Sequence, residues 1–101
     1  MGQAKMGVEV MYTYLEARPH RWRKQLWIKG RHMTVWHLIG TMRASGYTKE
    51  QTAVNYGLPL EAIEEAMAYY QENRALIEAE VEEEGRRLRA AGLSLGHRAG
   101  H

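Results

Sequence analysis

Catalysis and metal binding need particular side chains at particular spacings, and this chain supplies few of them. It has no cysteine, so neither a disulfide framework nor a thiolate metal site is open to it. His20, His32, His37, His97 and His101 stand at no metal-ligand spacing. None pairs with a carboxylate in the manner of His-Glu-x-x-His. No Ser-His-Asp arrangement and no glycine-rich phosphate loop is present. The histidines read as surface residues. No catalytic residue, metal or cofactor is expected, and the chain reads as a binding protein rather than an enzyme.

The chemistry on offer is charge and aromatic stacking. In RPHRWRKQLWIKGRH, Arg18, Arg21, Arg23, Lys24, Lys29 and Arg31 surround Trp22 and Trp27. Cations neutralise phosphates and interleaved indoles stack on bases, so these six residues are the DNA-binding candidates. The same pattern also suits a strand pair with a solvated basic face and its tryptophans in the core. Charge is segregated along the whole chain. Residues 17–49 hold eight bases and no acid, 50–84 hold ten acids and one base, and 85–101 hold four arginines and no acid. The net charge of +2 hides this pattern, and local fields rather than totals choose partners.

The elements that must position these residues are mostly helices. Residues 8–17 alternate in part and read as a strand, and residues 25–30 read as a second, ending in Gly30. Thr34 caps a helix over residues 35–44, which Gly46 ends. Thr48 caps the next, residues 49–56, with Gln51 placed for a capping box. Gly57 permits a sharp turn, Leu58 anchors it, and Pro59 opens a further helix. Ala53 leaves room for close packing, while Ile63 and Ala66 face inward. This is helix-turn-helix spacing. Its second helix would turn Glu61, Glu64 and Glu65 outward, which opposes the main attraction to a polyanion.

That last helix is expected to run over residues 60–92. Leu60, Ile63, Met67, Tyr70, Ile77, Val81 and Leu88 follow steps of three and four, with Arg74 and Glu84 in the two gaps. Glu82 and Glu83 precede Arg86 and Arg87 by four residues, which supports an exposed helix. Such a helix would be about 50 Å long, whereas a core of this size spans only about 25–30 Å. Its end should therefore overhang, and Ile77, Val81, Glu82 and Leu88 are the expected partner-binding stripe. A second copy joined as a coiled coil is the competing occupant.

The fold expected is mainly α: a trihelical helix-turn-helix core with a short N-terminal β-strand pair and a long C-terminal helix. Residues 1–7 are read as a flexible N-terminus, 8–92 as one domain and 93–101 as a flexible tail. The 101 residues, 45% of them apolar, suffice for one modest core, and chains of this size are often helped by oligomerisation. A homodimer is expected. No apolar run has membrane-spanning length and no secretory signal is seen, so no membrane partner and a cytoplasmic location are expected. Met6 or Met11 is an alternative start.

WIKGRHMTVWHLI and ASGYTKEQTAVNYGLPLEAIEEAMAYYQENRALIEAEV together resemble the domain-of-unknown-function family numbered 433, over about residues 22–82. Gly30 and Val35 match the family's pattern. Arg31 and His32 stand where it usually has Thr-Arg, and Thr34 replaces its proline. Members are often regarded as antitoxin-like and are frequently encoded beside a PIN-like ribonuclease. The resemblance thus implies an antitoxin that binds a PIN-like nuclease toxin and represses its own operon by binding operator DNA. A protein-interaction adaptor without DNA binding, and a stand-alone DNA-binding regulator, remain alternatives.

Overall fold

The computed structural model describes residues 12–92. Four helices follow a small two-stranded sheet: β1 (Leu15–Glu16), β2 (Trp27–Ile28), α1 (Val35–Ser45), α2 (Lys49–Tyr56), α3 (Leu60–Glu72) and α4 (Arg74–Ala90). The strands are antiparallel, with Leu15 opposite Ile28 and Glu16 opposite Trp27. A bridge from Trp27 to Thr34 ties the sheet to the start of α1. Gly30, at φ 75°, makes the tight return between them. Of the strand read over residues 8–17, only Leu15–Glu16 is a strand among the described residues. Residues 8–11 and both expected flexible ends lie outside them.

Local capping chemistry sets the helix ends. The Thr34 side chain accepts from the His37 amide at the start of α1, and Gly46 closes that helix in the left-handed conformation. At α2, the Thr48 hydroxyl accepts from the Gln51 amide at 3.0 Å while the Gln51 side chain accepts from the Thr48 amide at 2.8 Å. Gly57, at φ 64°, then turns the chain into α3, where Pro59 stands at the N-cap. Both α1 and α2 pack on α3. The core gathers Leu15, Ile28, Val35, Leu38, Ile39, Ala53, Ile63, Ala66 and Tyr70. The trihelical helix-turn-helix arrangement and the strand pair are thus as expected.

The long last helix is not continuous. Asn73, at φ −126° and ψ 31°, separates α3 from α4. Its side-chain amide donates to the Tyr69 carbonyl at 3.0 Å, and its backbone N–H donates to Tyr69 and Tyr70 carbonyls. A short polar side chain that bonds its own preceding turn competes with helix propagation. Beyond the break the first turns of α4 pack on the core, while its last turns, residues 86–90, stay exposed, so the end of the helix overhangs as expected. Ile77 is fully buried and belongs to the core, so its expected place in a partner-binding stripe is corrected.

Candidate functional site

The basic stretch is held against α4 by a buried carboxylate. Glu80 is 6% exposed. It accepts from the backbone amides of Lys24 and Gln25, and from the Gln25 side chain at 2.9 Å. The Gln25 side-chain oxygen in turn accepts from the Trp36 amide at 2.8 Å. One carboxylate of α4 therefore fixes the loop after β1, and through Gln25 that loop is fixed to α1. In the sequence, Glu80 is one of the glutamates from Glu78 to Glu84 that flank the apolar stripe. The only signal available was its spacing of three from Ile77, which puts both on one helix face.

Three of the six candidate cations serve the fold. Arg18 donates to Glu16 at 2.8 Å and to the Ile28 carbonyl at 2.9 Å, and its guanidinium lies 5.2 Å from the Trp27 ring. Arg31 donates to the carbonyls of Tyr56 and Gly57, at 2.7 and 3.2 Å. It thereby satisfies the C-terminal end of α2 at the helix-turn-helix turn. Arg23 pairs with Glu84 at 3.1 Å and lies 4.3 Å from the Trp22 ring, which Arg87 also approaches at 5.0 Å. Arg21, Lys24 and Lys29 are exposed, and their side chains make no ion pair among the described residues. The tryptophans divide likewise: Trp27 is buried and Trp22 is partly covered by arginines.

The acidic helix face is smaller than its sequence suggests. Glu65 turns inward and accepts from the Tyr14 amide at 3.1 Å, so its expected outward position is corrected. Glu64 meets Lys49 of α2 at 2.9 Å across the helix-turn-helix. Glu61, Glu64 and Glu72 are exposed, with Ala68 and Gln71 between them, and α3 contains no basic residue. On α4, Val81 is 37% and Leu88 44% exposed. The Glu82 side chain, 78% exposed, reaches Arg86 only at 3.9 Å.

A cleft of about 510 Å³ opens between the basic loop, the start of α1 and α4, and it is lined by Trp27, His32, Trp36, His37 and the Arg23–Glu84 pair. Its one carboxylate is already matched by that arginine. Gly40 lies under its wall: a methyl group there would sit 3.2 Å from the Trp36 ring. Among the described residues no three His, Asp or Glu side chains gather as a metal site, and no helix is long and apolar enough to cross a membrane.

In comparison with known proteins, the family described as a protein of unknown function (DUF433) matches residues 16–70. No curated protein and no solved structure matches the chain.

Proposed function

The chain belongs to the DUF433 family, and we propose that it is an antitoxin-like protein that neutralises a PIN-like ribonuclease by binding it through the acidic face of α3. One observation carries this reading. The second helix of the helix-turn-helix turns Glu61, Glu64 and Glu72 to solvent, while Arg18, Arg23 and Arg31 are spent inside the fold. A helix that inserts among phosphates gains from cations, whereas a carboxylate-bearing helix suits the basic surface an RNA-cutting enzyme presents. Binding there would also compete with the nuclease's own polyanionic substrate. Arg21, Lys24 and Lys29 remain for a secondary attraction to operator DNA.

The test is whether a neighbouring gene encodes a PIN-like ribonuclease and whether this chain inhibits that enzyme's cleavage of RNA. Unaltered protein should inhibit at stoichiometric ratios. The double variant Glu61→Lys, Glu64→Lys should need on the order of tenfold more protein, because two attractive contacts become repulsive. Equal inhibition by the variant overturns the assigned surface. No inhibition by the unaltered protein overturns the function.

A further inference from the structure

We propose that the exposed face of α4 is a dimer surface on which a second copy of this chain packs antiparallel. The face is formed by Val81, Gly85 and Leu88, spaced four and three apart and therefore on one side of the helix. Val81 and Leu88 stay exposed after Ile77 and Glu80 are committed to the core. Gly85 sits mid-helix, where glycine weakens the helix, and a methyl group there would meet only the far end of Arg89, at 3.3 Å. A glycine between two exposed apolar residues lets a second backbone come close.

The charge order along α4 identifies the occupant. After Arg74 at its start, Glu78, Glu82, Glu83 and Glu84 precede Gly85, and Arg86, Arg87 and Arg89 follow it. A uniformly basic partner would be drawn to one half and repelled by the other. A second α4 running the opposite way satisfies both halves at once. With the crossing near Gly85, Val81 of one copy faces Leu88 of the other. Glu82 then faces the Arg86–Arg89 end, twice over by two-fold symmetry. Arg89 has no carboxylate partner among the described residues, and Glu82 and Glu78 hold theirs loosely, at 3.9 and 3.4 Å. These charges are free to pair across the interface. A parallel pair would set like charges side by side.

The experiment is sedimentation equilibrium on the full chain and on charge-reversed variants. The unaltered chain should dimerise in the micromolar range. Glu82→Arg and Arg89→Glu, each alone, should weaken self-association on the order of tenfold, since each places like charges opposite one another twice. Mixing the two variants should restore association, because the mixed pair again matches opposite charges at both ends. Gly85→Leu should raise helical content by circular dichroism and yet weaken the dimer, which separates loss of the interface from loss of the fold. A monomer at all concentrations for the unaltered chain, or no recovery on mixing, overturns the proposal. Ribonuclease inhibition is read on the same variants. If Glu82→Arg and Arg89→Glu remain dimeric but lose inhibition, α4 is the nuclease surface and the second-copy assignment fails. If they lose only the dimer, the assignment holds whether or not the α3 reading does.

Discussion

At the residue scale, the most consequential side chain is a carboxylate whose surroundings are invisible along the sequence. Glu80 lies within a run of glutamates that reads as a solvated face, and its neighbours Glu78 and Glu82 are exposed. Only the position of α4 reveals that Glu80 meets three donors more than fifty residues away. Replacing Glu80 with Ala should destabilise the chain by about 3 kcal/mol, because the backbone and side-chain amides of Gln25 would be left buried without this acceptor and the part-buried Lys24 amide would lose its bond. Glu80→Gln keeps one acceptor oxygen and should cost roughly half as much. Chemical denaturation checks both, and a cost under about 1 kcal/mol for the alanine variant would remove Glu80 as the tie between α4 and the basic loop. Tyr69 gives a pH dependence at the same scale. Burial, helped by the nearby Tyr12 and Glu80, pushes its phenol above the ordinary value of 10.0. The unfolded chain therefore loses this proton first as pH rises. Its contribution to stability is complete below about pH 10 and is lost as the pH climbs through the raised folded value. Tyr12 shifts in the same direction, through burial and the charges of Glu72 and Glu65. Thermal melts of Tyr69→Phe should fall less steeply above pH 10 than those of the unaltered chain. The variant should also start from a lower midpoint, since the Leu26 amide loses its acceptor.

At the element scale, what could be read in advance was what local chemistry decides. Thr34, Thr48 with Gln51, Gly46 and Gly57 cap their helices as their residue types require. The buried positions Ala53, Ile63 and Ala66 follow from helix-turn-helix spacing. The break at Asn73 was not legible, because the apolar steps of three and four continue across it. Periodicity reports which face is apolar, not whether the axis bends. Asn73 interrupts the helix with its side chain bonded back to Tyr69, and Ile77, one turn beyond the break, packs in the core. Asn73→Ala removes that bond and favours a straight helix. The expected result is a small rise in helical ellipticity with a lower thermal midpoint, as Ile77 is drawn from its packing. Ile77→Ala alone should cost about 2–4 kcal/mol, the range for truncating a buried aliphatic side chain. If Asn73→Ala instead raises the midpoint, the break is incidental and α4 is placed by Glu80 alone.

At the scale of the whole molecule, the segregated charge was plain in the sequence, but which charges are free for a partner was not. Counting cations in the basic stretch gives six, and six phosphate contacts would make DNA affinity fall with the logarithm of salt at a slope of about −5. The fold withdraws Arg18, Arg23 and Arg31 into hydrogen bonds, ion pairs and ring contacts. Arg21, Lys24 and Lys29 remain exposed. Three phosphates give a slope of about −2.7, or a loss of roughly fortyfold between 50 and 200 mM salt instead of more than a thousandfold. The acidic α3 face should keep sequence preference low, since it brings carboxylates rather than cations toward the groove. A paired molecule could apply both copies to one duplex, so the slope is best measured on Val81→Asp, which should be monomeric if the α4 surface is the dimer contact. Fluorescence anisotropy with duplex DNA would give it directly. Arg21→Ala should lower the magnitude of the slope by about 0.9, the value for one phosphate. Arg31→Ala should leave the slope unchanged while lowering stability, because its guanidinium holds the end of α2. A slope near −5 on the monomeric variant would mean that the internally bonded arginines let go of the fold to meet phosphate, and the division of labour among these cations would have to be redrawn.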